Sequence, residues 1–275
     1  MCGIFAYTGT ENAVPLLIEG LRSVEYRGYD SAGISVIDSS GAIRTVKKGD
    51  HKGSLENLAV AVGDGQLSGG VGIGHTRWAT HGEVNQKNSH PHASSSGSIS
   101  IAHNGIIENF LELKDELVDA GVEFVSDTDS EVLAHLVGRS VANGHSLREA
   151  VIAAASRING NTAVVAVSAA EPGIVVGLRV GNAGGIVVGK NDSAAVMASD
   201  TIALLPYTNE VIYLEPGEVV EIERGSVRLF DLEGTVIERE PVVTNQNFEA
   251  GKKGNHPHFM SKEIAEQPEA IQGAM

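Results

Sequence analysis

Met1-Cys2-Gly3-Ile4-Phe5 is the stretch around which the chain is organised. Cys2 is the single cysteine among 275 residues. A small residue at the second position lets an aminopeptidase remove Met1, which would leave a thiol and a free α-amine on one residue. A thiol is a weak nucleophile until a base takes its proton. An α-amine, with a pKa of about 7.7–8.0, is partly neutral at pH 7 and can be that base. The residue then carries its own general base, as N-terminal threonine nucleophiles do. The plainer reading is a small buried apolar side chain beside Ile4 and Phe5, and the five residues alone do not separate the two.

The remaining composition sets bounds. A hydrophobic content of 42% with 20% charged residues is that of a globular chain able to bury a large core. The 33 glycines predict many tight turns. A net charge of −15 argues against nucleic acid or an anionic membrane as a general partner. One cysteine excludes an internal disulfide framework and fits a reducing, cytoplasmic compartment. No basic stretch followed by an apolar core suggests a signal peptide, and no apolar run reaches the roughly 18 residues of a membrane helix. The second residue is not glycine, so myristoylation is not expected.

Outward from Cys2, residues 2–8 read as a strand ending at Gly9. Val14, Leu17, Ile18, Leu21 and Val24 then share one face of a helix with Pro15 in its first turn. Tyr26–Gly33 (YRGYDSAG) interrupts the pattern. Residues 33–37 and 42–47 predict a hairpin, 53–62 a weaker helix, and Gly69 to Trp78 a glycine-spaced strand. The polar stretch 79–97 reads as a long surface loop. A strand from Ser98 runs into His103-Asn104-Gly105. Asn109 is expected to cap a helix ending at Gly121, with Phe110, Leu113 and Leu117 inward. Thr128-Asp129-Ser130-Glu131 and Ser146-Leu147-Arg148-Glu149 both have capping-box spacing. Beyond 161, short β-rich runs follow at 162–168, 174–180, 185–189, 194–198, 211–215, 218–223 and 226–230. Residues 1–243 are read as one domain and 244–275 as a linker with a short helix broken near Pro268. Strands at both ends with helices between predict an α+β fold of two sheets covered by helices.

Several residues carry candidate chemistry. A thiol attacking a carbonyl needs its oxyanion stabilised, and Asn104 and Gly105 offer a side-chain amide and a backbone N–H at a strand end. Asn-Gly is equally a strong turn dipeptide. Arg77 could grip a carboxylate through its planar fork. Asp129, at the start of a helix, could meet a substrate ammonium or simply complement the helix dipole. Asp127 lies two residues away, and spacing does not decide which of the two faces substrate. His81 and His103 flank these motifs and could support the residues that touch substrate. His90-Pro91-His92 and His256-Pro257-His258 lack conventional metal-ligand spacing, so no metal site is expected. No phosphate-binding glycine fingerprint is present, and no cofactor is expected.

Together, Met1–Phe5, Tyr26–Gly33, Gly74–Gly82 (GHTRWATHG), His90–His92, His103–Asn109 (HNGIIEN), Thr128–Glu131 and the tail His258–Pro268 resemble the glutaminase domain of the glutamine:fructose-6-phosphate amidotransferase family. The resemblance spans the chain. It implies a four-layer αββα N-terminal nucleophile hydrolase sandwich with two antiparallel sheets. It implies hydrolysis of L-glutamine to glutamate and ammonia through a γ-glutamyl thioester on Cys2, with the Cys2 amine as base. Asn104 and Gly105 would form the oxyanion hole. Arg77 would hold the glutamine carboxylate and Asp129 its ammonium, while Trp78, Thr80 and His81 match a loop that closes over the substrate. The ammonia would pass to a sugar isomerase domain, absent here, of a full-length enzyme that forms a homodimer and makes glucosamine 6-phosphate from fructose 6-phosphate.

Two other classes compete. A catalytically silent binding or regulatory module on the same fold would lack turnover even with Met1 removed; the intact Cys2, Arg77, Asn104 and Asp129 set argues against it. A histidine-based metal hydrolase would lose activity with a chelator, and the absence of ligand spacing argues against that.

Overall fold

A computed structural model describes residues 2–49, 53–63, 65–79, 82–182, 184–246, 255–256 and 259–274. In chain order the first half forms β1 Gly3–Gly9, α1 Ala13–Val24, β2 Ser31–Ile37, β3 Ile43–Lys48, α2 Ser54–Val62, β4 Val71–Arg77, β5 His92–Ala93, β6 Ile99–Gly105, α3 Phe110–Asp119, α4 Glu131–Ala142 and α5 Leu147–Ala155. The second half forms β7 Thr162–Ser168, β8 Val175–Val180, β9 Val187–Lys190, β10 Ala194–Ala198, β11 Glu210–Tyr213, β12 Glu218–Glu223, β13 Ser226–Asp231, β14 Val236–Ile237, β15 Val242–Val243 and α6 Phe259–Ala274.

The strands make two sheets, ordered β15-β11-β9-β10-β1-β4-β2-β3 and β14-β13-β12-β8-β7-β6-β5. Every pairing is antiparallel. Side chains alternate across each strand, and the central strands of both sheets are buried on both faces. In β1, Phe5 and Tyr7 pack with Leu17 and Leu21 of α1, while Ile4 and Ala6 face the second sheet. In β7, Val164 and Ala166 pack with α4 and α5, while Ala163, Val165 and Val167 look back at the first sheet. Three apolar layers therefore separate four structural layers in the order helix, sheet, sheet, helix, which is the expected sandwich.

The helix ends follow local chemistry. The Asn12 side chain accepts the Val14 N–H at 3.2 Å and starts α1. Ser146 and Glu149 form the expected reciprocal capping box at α5. Thr128–Glu131 does not. Helix α4 begins at Glu131, and the Glu131 carboxylate reaches back to the Val125 and Ser126 N–H groups at 2.8 and 2.6 Å. Thr128 turns its hydroxyl to His92 Nε2 instead, at 3.1 Å. Asn109 likewise gives no cap bond; its amide bridges Arg157 O and the Asn159 N–H.

Three further expectations are corrected. The 79–97 stretch is not a surface loop throughout: Asn88, Ser89, His90, His92 and Ser94 are buried. Its polar groups are satisfied inside the protein, as where Lys47 Nζ bonds Ser89 O at 2.8 Å and Asn88 Oδ1 accepts the Asp127 N–H at 2.9 Å. Two short edge strands, β14 and β15, extend the sheets through residues the sequence leaves irregular. Helix α6 continues past Pro268 instead of breaking there, because good helix formers flank a single lost hydrogen bond. Thr80, His81 and the Pro257-His258 part of the second histidine pair lie outside the described residues.

Candidate active site

Register brings the site together. Gly3 pairs with Thr76, and Ser31 with Arg77. The start of β1, the end of β4 and the start of β2 therefore lie side by side at one end of the first sheet. Cys2 shares the parity of Ile4 and Ala6 and so stands on the side that faces the second sheet. Its Sγ accepts the Trp78 N–H at 3.2 Å and lies 3.6 Å from Trp78 O. Burial pushes the Cys2 thiol up, against the Trp78 backbone bond and the positive charges of Arg77 and Arg27. A thiol held that way is protonated at neutral pH and needs a base to attack.

The second sheet supplies Asn104. Its Nδ2 donates to Cys2 O at 3.1 Å, across a separation of 102 residues. Gly105 follows at φ +135°, where a Cβ would stand 2.1 Å from Asn161 O, so a side chain is excluded. Ala169 N–H bonds Ser98 O, and Ile106 N–H bonds Asn161 O. Even-numbered residues of β6 thus exchange backbone bonds with β7, and odd-numbered ones point their N–H away. The His103 N–H follows this rule and meets His90 Nδ1 at 3.3 Å. By the same parity the Gly105 N–H is turned away from β7.

The charged candidates are buried nearby. Burial lowers the Arg77 guanidinium from its ordinary value, opposed by Cys2, Asp30 and Asp129. All three therefore lie within electrostatic reach of it. Arg77 Nη1 also donates to Glu83 O at 3.3 Å. Asp129 is 5% exposed, accepts the Ile107 N–H at 2.8 Å and receives the Ser130 hydroxyl at 3.3 Å. Asp127 is exposed and pairs with Lys87 at 2.8 Å. Trp78 is 45% exposed, edge-on to Tyr29 with ring centres 5.7 Å apart.

The sequence assigned no individual role to Tyr26, Arg27, Asp30 or Asp200, which also lie near Cys2 and Arg77. Arg27 Nε donates to Cys2 O at 3.3 Å, and its Nη1 pairs with Asp200 at 3.4 Å. Tyr26 OH also donates to Asp200. Asp30 accepts the Ala79 N–H at 2.9 Å and donates its own N–H to Arg77 O at 3.0 Å. The Gly28 backbone lies against the Arg77–Trp78 peptide. Tyr26–Gly33 is thus a brace around the Cys2 end of β1 and the Arg77 end of β4. Its available signal was polar residues breaking an apolar pattern just before a strand. Asp200 carried no such signal. His75, His90, His92 and His103 gather beside Asn104, with the His75 and His90 rings stacked at 4.2 Å. Among the described residues no group of three or more His, Cys, Asp or Glu is arranged to hold a metal ion.

Two stacked antiparallel sheets between helical layers, with a cysteine leading a central strand, are the features of N-terminal nucleophile amidotransferases. The fold matches glutamine phosphoribosylpyrophosphate amidotransferase from B. subtilis, with a TM-score of 0.70 and 27% identity over 86% of this chain and 50% of that one. The model of the glutamine amidotransferase domain family matches residues 63–222, and the chain belongs to that family. Over all 275 residues it is 45% identical to glutamine–fructose-6-phosphate aminotransferase (isomerizing) of Clostridium tetani and 42% identical to that of Escherichia coli K12. It spans 44% of the length of each. No helix among the described residues is long and apolar enough to cross a membrane.

Proposed function

We propose that this chain hydrolyses L-glutamine to glutamate and ammonia, as the ammonia-supplying part of an enzyme that makes glucosamine 6-phosphate from fructose 6-phosphate. The observation that carries the reading is Cys2 Sγ on the Trp78 N–H with the Asn104 amide bonded to the same residue's carbonyl. Removal of Met1 frees the Cys2 amine, which takes the thiol proton. Sulfur attacks the γ-carbonyl carbon, and the oxygen gains the negative charge. The second N–H of Asn104 Nδ2 and the N–H of Gly105 stabilise that charge. The C–N bond breaks, ammonia leaves with the proton held by the amine, and a thioester remains. Water, deprotonated by the same amine, attacks the thioester, and glutamate and the thiol are released.

Arg77 holds the glutamine carboxylate and Asp129 its ammonium, so that the amide end reaches Cys2. The buried setting of Asp129, against the exposed Asp127–Lys87 pair, supports Asp129 for this role. Trp78, Thr80 and His81 belong to the segment that covers the substrate. Residues 1–243 are the glutaminase domain, and 244–275 lead toward a sugar isomerase half that receives the ammonia in the cytoplasm. The test is intact mass with and without a glutamine-analogue electrophile, alongside glutaminase turnover of wild type and Cys2→Ala. The reading expects a chain lacking Met1, one adduct on Cys2 and no turnover in the variant. Turnover by Cys2→Ala would refute it, and an adduct without wild-type turnover would favour a silent module.

A further inference from the structure

Asn104 has to present an N–H, not its carbonyl oxygen, to the reacting centre. A side-chain amide is close to symmetric in shape, so something has to set which end faces which way. The strand patterns supply a partner. In β6, Asn104 shares the parity of Ala102, which packs between the sheets. In β4, His75 shares the parity of Val71 and Ile73, which pack in the same layer. The two side chains meet there, with His75 Nε2 3.0 Å from Asn104 Oδ1.

The donor and acceptor roles follow from one fixed point. The Cys2 carbonyl can only accept, so the end of the Asn104 amide 3.1 Å from it is the nitrogen. The oxygen is then the end that meets His75, and His75 Nε2 has to carry a hydrogen. The ring is neutral: burial pushes His75 down to about 3, with the Asn104 bond opposing. Its other nitrogen, Nδ1, makes no hydrogen bond among the described residues. The ring is held flat against His90, whose Nδ1 is itself fixed as an acceptor by the His103 N–H. Turning the amide over would set Oδ1 against the Cys2 carbonyl and the amide hydrogens against the His75 hydrogen, two repulsive contacts in a buried layer.

We propose that His75 is a positioning residue for glutamine hydrolysis: its Nε2–H fixes the Asn104 amide with the nitrogen toward Cys2. This rests on the reading of Asn104 as an oxyanion donor. His75 touches neither substrate nor sulfur and acts through Asn104.

The experiment measures kcat and KM for glutamine with the full chain carrying His75→Met, His75→Gln, Asn104→Ala or His75→Met with Asn104→Ala, each checked by thermal melting. Methionine fills the space without a donor, whereas the glutamine amide can donate from the position of Nε2. Asn104→Ala should lower kcat by roughly 10²–10³-fold with KM little changed. His75→Met should lower kcat by about 10- to 100-fold with the same KM pattern, a loss bounded by that of Asn104 itself. His75→Gln should recover most of it. The double variant should be no slower than Asn104→Ala alone. A full kcat in His75→Met beside an impaired Asn104→Ala overturns the role of His75 and leaves that of Asn104 standing. So does a further loss of the full His75→Met factor in the double variant. A full kcat in Asn104→Ala overturns the oxyanion reading itself, and the proposal with it. Should the His75 variants not fold, 15N spectra of the wild-type histidines decide the matter: a neutral His75 protonated on Nε2 supports the proposal, and protonation on Nδ1 overturns it.

Discussion

Gly28→Ala tests the brace around Cys2 without touching a chemical group. Gly28 has φ −177°, an extended conformation open to any residue, so alanine adds no torsional strain. What it adds is a Cβ 2.7 Å from both Arg77 C and Trp78 N and 3.0 Å from Arg77 O. Ordinary contact begins near 3.4 Å, so the two backbones have to part by about 0.7 Å or more. The peptide that moves is the one whose N–H bonds Cys2 Sγ and whose neighbouring residue is Arg77. A misplacement on the order of 1 Å at a reacting centre costs about 10²-fold in rate. Overpacking of this kind costs about 1–3 kcal/mol, a drop of roughly 2–12 °C in Tm for a chain of this size. The assay is glutaminase kcat/KM together with a thermal melt. Gly173→Ala is the control, because the nearest atom to its added Cβ is Glu223 Oε1 at 4.0 Å. Gly28→Ala with wild-type kcat/KM and Tm would refute the claim that Tyr26–Gly33 positions the site by direct backbone contact.

Arg77→Ala and Asp129→Ala should each lower kcat/KM for glutamine by roughly 30- to several-thousand-fold, the loss expected on truncating one partner of a buried charge pair. Asp127→Ala should stay within about twofold, since its partner is an exposed lysine; a larger effect than Asp129→Ala would reverse the assignment. Gly105→Ala should lose both activity and several degrees of Tm, because its Cβ would meet a backbone carbonyl at a φ that side chains rarely adopt; normal melting would count against that geometry. Acid should unfold the chain early. Burial lowers His75 to about 3, lowers His103, and holds His90 and His92 well below their usual value, while unfolded histidines protonate near 6.5. A folded-state pKa below the unfolded one gives stability that is present above pH 6.5 and is lost as pH falls toward 3, at about 1.4 kcal/mol per histidine per pH unit. The urea midpoint should therefore drop steeply between pH 6.5 and 4.5, and a flat profile there would contradict buried neutral histidines.

Much of the fold was legible because its signals are local. The 3.6-residue spacing of Val14, Leu17, Ile18, Leu21 and Val24 recovers α1, and Ser146 with Glu149 recovers the start of α5. The Thr128–Glu131 spacing misled because a capping box is one of several uses for a glutamate three residues after a threonine. Here the carboxylate serves two N–H groups upstream, and the threonine is claimed by a histidine from another segment. The 79–97 stretch misled for a related reason. Polar composition predicts exposure only when the polar groups have no partners inside, and Lys47 and Asp127 from distant elements supply them. Strands β14 and β15, of two residues each, are too short to carry a period at all.

The candidate site was legible as a set of residues and not as an arrangement. Cys2, Arg77, Asn104 and Asp129 stand out by type and position, but spacing says nothing of strand order. In the structure β1 lies between β4 and β10, so Cys2 meets Trp78 from one neighbour, and Asp200 follows the other. Arg27 and Asp30 become site residues only because β2 is the next strand along. The dependence on register is sharp. A one-residue slip of β6 would turn Asn104 away from the space between the sheets and bring His103 or Gly105 to Cys2 in its place. Gly105 resists such a slip, because only a glycine fits against Asn161 O at that point of the ladder. On the proposed mechanism, the residue that would offer a backbone donor to the reaction therefore also helps to lock the register that places the Asn104 amide beside Cys2.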